Sequence, residues 1–350
     1  MISLIIVDYK SIPKTMNYIQ DCLQAFTRNG KEAMDKKIHV ILVDNSPDEQ
    51  SGLAYLQQEC HAQIEPMQIT ALDRAKNPLQ AKDTHEVNTL QYEEKERYVY
   101  QCHIHDTCDI DVIYVAAREN LGYAKGNNLG ADIARQLYQD CYYLFSNNDL
   151  QFPETFDLEQ LLKPMQEQES VAVVGPKVVT KSGEQQSPRK MPGIGQELFG
   201  YYWNLLLPKK WKLEHTASGV DEGRASGICD WLTGSFWIME AVKFHEVGGF
   251  DAHTFLFYEE LILKERLRKA GYSMYYCDVV TVIHAHGETV KSTLGVLKGI
   301  ESSFQSSIYY FKEYRGVSKV VILMARCNYR VCMTLFRLKK AIMKGMAVAR

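Results

Sequence analysis

The sequence predicts an α/β protein whose mostly parallel, Rossmann-like sheet is flanked by helices. Two observations indicate this class. Short β-branched runs such as ISLIIVDY and IHVILVDN are apolar along almost their whole length, which is typical of parallel strands buried on both faces. A segment of helical character, residues 13–26, separates these two runs. In such sheets, ligands bind beyond the carboxyl ends of the strands.

The next elements continue this alternation. Further strands are predicted from IDVIYVAA (110–117), CYYLFSNND (141–149) and VAVVGPKVV (171–179). The segment NNLGADIARQLYQ supplies a helix between the first two of them. Residues 51–109 are long, polar and rich in Gln and Glu, where a short connection is expected. We interpret this stretch as a partly helical insertion.

The second half of the chain begins with less regular sequence. Residues 181–228 contain several Gly and Pro and predict loops around the apolar patch ELFGYYWNLLL. The segment YEELILKERLRKAGY predicts a helix that ends at Gly271. The segment SMYYCDVVTVIHAH predicts a strand that ends in histidines. The core of the fold is therefore expected to extend to about residue 290.

Composition is that of a soluble protein with a sizeable core. Of 350 residues, 46% are apolar and 24% are charged. No basic n-region or cleavage site precedes the first strand, so a signal peptide is not expected. No apolar run reaches the roughly 18 residues that a spanning helix needs. The nine cysteines are scattered, and we expect free thiols in a cytoplasmic protein.

The basic residues are concentrated at the end of the chain. The formal net charge is −3, yet residues 317–350 carry eight basic and no acidic side chains, which leaves −11 on the rest. Apolar residues recur there every three or four positions, so the segment predicts a basic amphipathic helix that can lie in a membrane interface. We expect peripheral contact with the inner face of the cell membrane. The alternative is a helix packed on the rest of the chain or on a second subunit. A nucleic-acid partner is not expected, because no base-reading motif is present.

Acidic residues fall at the ends of several predicted strands. Asp44 and Asp149 end two of them, and His284 ends a third. A carboxylate in this position is commonly a turn former or helix cap, and Pro153 fits that interpretation for Asp149. A parallel sheet would, however, gather all three side chains at one edge. Carboxylate oxygens with an imidazole nitrogen suit Mg²⁺ or Mn²⁺.

The stretch ENLGYAKGNNLGAD (119–132) combines glycines with amides. Its glycines do not form the G-x-G-x-x-G dinucleotide fingerprint, and they could serve close packing of a helix on the sheet. The side chains of Asn120, Asn127 and Asn128 suit the recognition of base and sugar hydroxyls. Further on, Glu259 and Glu260 start a helix. The helix dipole alone favours acids there, but one of them could also act as a general base.

Taken in order, these stretches resemble the family 2 inverting glycosyltransferases, in the rhamnosyltransferase-like branch that builds bacterial surface polysaccharides. The resemblance extends from residue 1 to about 290, apart from the insertion. It is carried by nine motifs: ISLIIVDY, VILVDNS, NLGYAKGNN, LFSNND, VVGPKV, DWLTGSFWI, VGGFDAHTFLFYEE, RLRKAGY and VIHAHG.

The resemblance implies a GT-A fold with a helical C-terminal extension. We predict a glycosyltransferase domain over 1–292, whose nucleotide-sugar-binding half is 1–150 and whose acceptor-binding half is 151–292. Residues 293–350 form the basic amphipathic extension. The stretch 147–149 matches the family's Asn-x-Asp motif, so Asp149 and His284 are expected to hold Mg²⁺ or Mn²⁺. Contacts with the nucleotide-sugar are expected from Tyr9, Asp44, Asn45, Asn120, Gly122, Asn128, Asn148, Trp231 and Gly234.

The resemblance also implies the chemistry. Glu260 matches the family's catalytic base, normally the Asp of a Glu-Asp pair, and Glu259 is the fallback. Two further positions depart from the family pattern: Lys10 stands where Asn is usual, and Ile262 replaces an acid. The implied reaction moves a sugar from dTDP-rhamnose or a UDP-hexose to a hydroxyl of a growing, lipid-linked bacterial glycan.

Two other functions stay open at this point. A sugar nucleotidyltransferase shares a related nucleotide-binding half, but it normally carries a Gly-rich loop after the first strand, where this chain has VDYKSIPK. A non-catalytic glycan-binding scaffold on the same fold is compatible with the altered Asn-x-Asp and Glu-Glu motifs. Hydrolysis of the donor would separate an enzyme from such a scaffold.

Overall fold

The computed structural model describes residues 1–28, 38–67, 98–104, 110–207, 219–285 and 295–348. The predicted α/β class is confirmed, because the strands in this part of the chain form one mixed 12-stranded sheet flanked by helices. The strands are β1 Ile2–Asp8, β2 Ile38–Asp44, β3 Gln63–Met67, β4 Tyr98–Ile104, β5 Ile110–Ala116, β6 Tyr142–Ser146, β7 Leu150–Gln151, β8 Val171–Thr180, β9 Gln185–Ser187, β10 Gly227–Cys229, β11 Phe236–Glu240 and β12 Ser273–His284. The helices are α1 Ile12–Thr27, α2 Glu49–Gln58, α3 Gly122–Leu137, α4 Leu158–Glu167, α5 Ala241–Glu246, α6 Glu259–Lys269, α7 Gly295–Glu313 and α8 Lys319–Val348.

The strand directions bring the ends of several strands to one edge of the sheet. The order is β10-β12-β8-β11-β6-β1-β2-β5-β4-β3, with β7 beside β12 and β9 beside β8. β1 runs parallel to β2 and β6, β2 to β5, and β8 to β12. β11 is antiparallel to both β6 and β8. The carboxyl ends of β1, β2, β5, β6, β8 and β12 therefore share one edge with the amino end of β11, which we call the carboxyl edge.

Apolar layers on both faces explain why the central strands read as continuous apolar runs. Along β1, Ile5 faces a core that α3 closes with Leu129. Its neighbours Leu4 and Ile6 face the opposite core, which α1 closes with Met16. Side chains alternate between the faces of a strand, so a strand covered on both faces must be apolar at every position.

The insertion after residue 51 adds strands that we did not predict. Part of it is helical, as expected, in α2. β3 and β4, however, extend the sheet beyond β5 as antiparallel strands. In β4, whose sequence is YVYQCHI, the buried residues are Val99, Cys102 and Ile104, and this mixture of polar and apolar side chains shows no regular period of two. Residues 68–97 and 105–109 of the insertion lie outside the described part of the chain.

Two other segments carry helical structure. Within 181–228, where we predicted loops, β9 is followed by a π-helical turn, Gln196–Gly200, and a 3₁₀ turn, Tyr201–Leu205. We call residues 196–205 the bridging turns; residues 208–218 lie outside the description. The predicted helical C-terminal extension is confirmed by α7 and α8. Among the described helices, none has the length and apolar character required to cross a membrane.

Candidate functional site

The end of β1 is held by a buried hydrogen-bond network. The Asp8 carboxylate is inaccessible to solvent and accepts hydrogen bonds from Ser11 N (3.0 Å), Ser11 Oγ (2.6 Å) and Thr15 Oγ1 (2.5 Å). Asn148 Nδ2 donates to the same network, at 3.2 Å from Asp8 Oδ1 and 2.6 Å from Thr15 Oγ1. The amide nitrogen of Asn148 is thus engaged inside the protein, and it fixes the turn that carries Asp149.

The end of β2 borders a cleft of about 500 Å³. Asp44 is buried there and accepts hydrogen bonds from Ser46 N (2.8 Å) and the Tyr114 hydroxyl (2.5 Å). Burial raises the pKa of the Asp44 carboxyl above its ordinary value. A Cβ added at Gly52, in the cleft wall, would lie 2.8 Å from Asp44 Oδ2, so this glycine lets α2 approach the carboxylate. Sequence reasoning missed Ser46, Gly52 and Tyr55, which line the cleft.

The turn after β1 explains one departure from the family pattern. Lys10 has φ +57°, a left-handed conformation that Asn adopts more readily than most residues. Its backbone N–H donates to Ser46 Oγ at 2.9 Å and so ties the end of β1 to the end of β2. Its ammonium lies 5.3 Å from the ring centre of Tyr9. The exchange of Asn for Lys therefore keeps the turn and adds a cation beside Tyr9 at the cleft.

The start of α3 contacts both the end of β2 and the loop before α6. Asn120 Oδ1 accepts from Gly122 N (3.0 Å), and Asn45 Nδ2 donates to Gly122 O (3.1 Å). Gly122 has φ +73°, and a Cβ there would lie 2.1 Å from Phe255 O. Asn45 Oδ1 is buried and has no hydrogen-bond partner among the described residues. The predicted residues Asn45, Asn120 and Gly122 thus form one contiguous unit at the carboxyl edge.

Asn128 lies deeper on α3. Its Nδ2 donates to Phe250 O at 2.8 Å, and its Oδ1 accepts from Phe250 N at 2.9 Å. Both ends of the amide are therefore engaged by the backbone of the loop before α6. The contact with a nucleotide-sugar that we predict for Asn128 has to coexist with this positioning role.

Asp149 and His284 meet at the carboxyl edge, as predicted. His284 Nε2 lies 3.1 Å from Asp149 Oδ1, which is an ion-pair distance, although this oxygen satisfies no regular hydrogen-bond geometry. The other imidazole nitrogen, Nδ1, lies 2.9 Å from Gln186 Oε1. Burial alone would raise the pKa of Asp149, but His284 and Lys14 outweigh it and lower that pKa. Asp149 therefore stays ionised.

This pair can supply part of a metal site. A carboxylate and an imidazole are suitable donors for Mn²⁺, and Mg²⁺ also accepts the carboxylate. Within the described ranges, however, no group of three or more His, Cys, Asp or Glu side chains converges on one point. The residues therefore fit a cation that takes most of its ligands from phosphate oxygens and water, as Mg²⁺ commonly does.

Glu260, at the start of α6, faces the loop before β11. Gly234 N donates to Glu260 Oε1 at 3.0 Å, and the Tyr123 hydroxyl donates to Gly234 O at 2.7 Å. The adjacent Ser235 O accepts from Asn147 N at 2.9 Å. Three elements, α3, α6 and the end of β6, thus converge on residues 234–235, which places Glu260 at the carboxyl edge.

The two adjacent glutamates have different surroundings. Glu259 is 3% exposed, and its Oε1 has no hydrogen-bond partner in the described part of the chain. Burial and the charge of Glu260 raise the pKa of Glu259 well above its ordinary value. Burial also raises the pKa of Glu260, while the Gly234 amide and the Arg189 guanidinium oppose that rise. Glu260 is therefore better suited than Glu259 to exchange a proton.

Arg189 is a member of this cluster that sequence reasoning missed. Its backbone N–H donates to Trp231 O at 2.9 Å, and its guanidinium lies 5.3 Å from the ring centre of Trp231. The Trp231 indole N–H donates in turn to Lys190 O at 2.9 Å. Burial lowers the pKa of the Arg189 guanidinium, and the charges of Glu260 and Glu197 offset part of that shift. The weak signal in the sequence was a single Arg in the loop stretch SPRKMPG.

Two residues before α6 adopt unusual backbone conformations. Phe257 and Tyr258 have φ +73° and +71°, in the left-handed region that side chains other than Gly disfavour. The Tyr258 hydroxyl donates to Glu197 Oε2 at 2.7 Å, which links the loop to the bridging turns. Such conformations persist where the surroundings enforce them, and they cluster at functional sites. Here they set the direction in which Glu259 and Glu260 leave the loop.

The comparisons with known proteins point to one family. The family model for glycosyl transferase family 2 matches residues 100–225. The chain is 27% identical over 179 residues to an N-acetylglucosaminyl-diphospho-decaprenol L-rhamnosyltransferase of Mycobacterium tuberculosis, over 47% of this chain and 56% of that protein. It is 26% identical over 175 residues to the low-salt glycan biosynthesis hexosyltransferase Agl10 of Haloferax volcanii, over 50% of this chain and 52% of that protein.

A solved structure of GalNAc-T7 with UDP, GalNAc and Mn²⁺ aligns with a TM-score of 0.49 at 12% identity, over 90% of this chain and 50% of that one. The chain spans about half the length of the curated relatives that it matches. The family model and the two relatives confirm the predicted resemblance to family 2 glycosyltransferases, on their rhamnosyltransferase-like side.

Proposed function

We propose that the protein is an inverting glycosyltransferase that moves a sugar from a nucleotide diphosphate-sugar to an acceptor hydroxyl. One observation carries this proposal. Glu260, with a raised pKa, is held by Gly234 N at the same edge as the ionised Asp149 and its neighbour His284. A carboxylate that can accept a proton thus shares an edge with a site for a diphosphate and its cation. The family resemblance supports the same reaction.

The donor would lie across the carboxyl edge. The nucleoside occupies the cleft next to Asp44 and Tyr9, which Lys10, Ser46 and Tyr55 line. The diphosphate extends towards Asp149 and His284. A divalent cation held there would offset the charge that develops on the leaving diphosphate. The sugar would then rest on the loop of Trp231 and Gly234, beside Glu260.

The transfer is a single displacement. The acceptor hydroxyl oxygen forms a bond to the anomeric carbon as the bond from that carbon to the diphosphate oxygen breaks. Glu260 takes the hydroxyl proton, and the nucleoside diphosphate leaves with the electron pair of the broken bond. Attack from the face opposite the leaving group inverts the anomeric configuration. Arg189 favours the ionised form of the Glu260 carboxylate, because its positive charge opposes protonation.

The donor class and acceptor follow from likeness to the relatives. One of them is named as a rhamnosyltransferase whose acceptor is a sugar diphosphate on decaprenol, and the other as a hexosyltransferase. We therefore propose dTDP-rhamnose or a UDP-hexose as donor, and a lipid-linked saccharide of a growing surface glycan as acceptor.

A thermal-shift panel tests the donor site. UDP, dTDP, GDP and CMP are each measured with and without Mn²⁺, on the native protein, on Asp149→Ala and on Glu154→Ala as a control for an exposed acid nearby. A ligand at a hundredfold its Kd adds about 2.7 kcal/mol to the free energy of unfolding. We expect one nucleotide to stabilise the protein only with metal, and Asp149→Ala alone to abolish the effect. If no nucleotide stabilises the native protein, the proposal is wrong.

A non-catalytic scaffold is the second candidate. It is favoured by the altered Asn-x-Asp and Glu-Glu motifs and by the fact that only two protein donors converge among the described residues. Hydrolysis of the nucleotide-sugar by the native protein, lost in Glu260→Gln, would support the enzyme. Binding of the donor without any hydrolysis or transfer would support the scaffold.

A further inference from the structure

Helix α8 buries one face on the body of the protein. Ile322, Ala325, Cys332 and Met333 on this face are at most 6% exposed. Asn328 fixes the contact, since its Oδ1 accepts from Trp203 Nε1 (3.0 Å) and its Nδ2 donates to Phe199 O (3.1 Å). The alternative interpretation of this segment, a helix packed on the rest of the chain, is thus correct for the buried face of α8.

A second face of α8, about a third of a turn from the buried one, is apolar as well, although it faces solvent. We call it the outer stripe, and its residues are Met324, Val331, Leu335, Leu338 and Ile342. Their exposed fractions lie between 42% and 63%. From Met324 onward they recur after seven, four, three and four residues, which keeps them on one side of a helix. The stripe is therefore continuous over about five turns of the helix.

Basic side chains form a row on the third side of α8, about a third of a turn from the outer stripe. Lys319, Arg326, Arg330 and Arg337 follow each other at spacings of seven, four and seven residues and are all exposed. In the parts of the chain that the structure describes, no carboxylate lies at ion-pair distance from Arg326, Arg330 or Arg337. No Asp or Glu occurs in residues 317–350. The apolar stripe is thus accompanied by unneutralised positive charge.

We propose that the outer stripe lies in the interface of a membrane rich in anionic lipid, with the basic row among the headgroups. An apolar face beside Lys and Arg is what inserts between headgroups and acyl chains. Anionic lipid supplies the negative charge that this part of the chain lacks. The inference goes beyond the proposed function, because this contact requires only α8 and not the carboxyl edge.

A second copy of the chain is a poorer occupant for the same surface. In a twofold dimer the same patch meets itself, so the basic row of one copy would lie near that of the other. With no acid in residues 317–350, such a contact would bring like charges together without compensation. A nucleic acid would match the charge but would leave the apolar stripe exposed to water.

Vesicle flotation with the full chain tests the proposal. The vesicles are phosphatidylcholine alone, or phosphatidylcholine mixed with phosphatidylglycerol, at low and high salt. We expect binding to the mixed vesicles, with weaker binding at high salt and little binding to the neutral ones. Binding to neither kind of vesicle would overturn the proposal.

Variants separate the stripe from the row. Leu335→Glu combined with Leu338→Glu should lower partitioning at least tenfold, because two apolar side chains no longer enter the interface. Arg326, Arg330 and Arg337 replaced by Gln should lower binding to the mixed vesicles by about a hundredfold. Val279→Glu is the matched control, since Val279 is 65% exposed on β12. It should leave binding unchanged, and an equal loss in this control would contradict the proposal.

Two further measurements exclude the other partners and keep the inference separate from the proposed function. Light scattering without lipid should show that the outer stripe does not mediate a dimer. A dimer that dissociates in Leu335→Glu would overturn the proposal. Displacement of the protein from vesicles by duplex DNA would overturn it as well. The melting temperature and the nucleotide-induced stabilisation should persist in all variants. If nucleotide binding fails while flotation succeeds, the proposed function falls and the membrane contact stands.

Discussion

The pKa values of two acidic residues at the carboxyl edge are shifted in opposite directions by their surroundings. His284 and Lys14 hold the pKa of Asp149 below its ordinary value, whereas burial raises the pKa of Glu260. One carboxylate therefore stays negative, as a site for a cation and diphosphate requires. The other can take up a proton. Such a division between two carboxylates is how enzymes assign binding and acid–base roles.

The base can be tested by removing its charge alone. Glu260→Gln should lower turnover by about 10²–10⁴-fold, because an amide cannot accept the acceptor proton. It should leave nucleotide-induced stabilisation intact, since the amide can still accept from Gly234 N. Glu259→Gln is the matched control, because Glu259 is buried and its Oε1 has no hydrogen-bond partner among the described residues. Steady-state transfer assays measure both. If Glu259→Gln were inactive and Glu260→Gln active, the roles would be exchanged.

Arg189 gives a prediction about pH. Burial raises the pKa of Glu260, and the positive charge of Arg189 opposes that rise. Removing the guanidinium should raise the pKa of Glu260 further. Because the ionised form is the base, the rising limb of the pH–rate profile for Arg189→Met should move to higher pH. At pH values on or below this limb, Arg189→Met should turn over severalfold more slowly than the native protein.

The control for this pH shift is Lys190→Met. Lys190 is the adjacent cation, is 60% exposed, and lies 3.4 Å from Asp221 instead of facing Glu260. Its removal should leave the rising limb in place. A profile for Arg189→Met that keeps its limb and only loses height would mean that Arg189 holds substrate and does not tune the base.

At the scale of residues, the contacts that could be predicted from the sequence are those between residues at strand ends. Asp149 and His284 were predicted to meet because parallel strands bring their carboxyl ends together, and the structure confirms the contact. The partners of Asn128 and Asn148 could not be predicted, because each lies more than a hundred residues away in the chain. Arg189 was missed because its partners Trp231 and Glu260 lie on other elements, well beyond the range of local sequence patterns.

At the scale of elements, the start of α3 is the most demanding junction. Gly122 combines φ +73° with a Cβ position 2.1 Å from Phe255 O, so that α3 and the loop before α6 touch through their backbones. Gly122→Ala should therefore lower the free energy of unfolding by more than about 3 kcal/mol, since both the left-handed conformation and the clash oppose it. Urea denaturation measures the loss.

A second glycine separates the cost of the left-handed backbone conformation from the cost of the clash. Gly183 has φ +86°, but no atom of the described residues lies within 4 Å of its Cβ position. Gly183→Ala should cost only about 1–2 kcal/mol, from backbone conformation alone. Similar losses in the two variants would show that the loop before α6 moves away freely, and that the junction at Gly122 is looser than the backbone contact indicates.

Elements were predictable where their apolar pattern is strong. β1, β2, β5 and β8 are apolar on both faces and were recognised from that alone. β3 and β4 lie at the far end of the sheet, where fewer positions are buried, and their polar residues concealed the strands. The bridging turns were missed because their apolar residues pack on α7 and α8, which follow them by about a hundred positions.

At the scale of the whole molecule, α8 is connected to the candidate site through the bridging turns. Asn328 binds these turns at one end, and Glu197 within them accepts from Tyr258, next to Glu259, at the other. Asn328→Ala should leave Trp203 Nε1 and Phe199 O without their partner and cost about 1–3 kcal/mol of local stability. Hydrogen exchange should show faster exchange in α8 and in residues 196–205, with the central sheet unchanged.

Cys327→Ala provides the control, because Cys327 is exposed on the same helix. It should leave hydrogen exchange as in the native protein. A uniform increase across the sheet in Asn328→Ala would mean that α8 unfolds together with the whole domain and does not form a separate unit.

The reversed direction of β11 has a consequence for protein engineering. Among the neighbours β6, β11 and β8, it is β11 that runs against the other two, so residues 230–235 reach the carboxyl edge at the beginning of a strand. Within this stretch, residues 230–233 can be exchanged for others without altering the order of the parallel strands, whereas Gly234 and Ser235 must stay because Gly234 N holds Glu260 and Ser235 O holds Asn147. In the proposed enzyme, such a graft would change which sugar is accepted while Asp149, His284 and Glu260 keep their places. The choice of substrate would then be open to change separately from the chemistry.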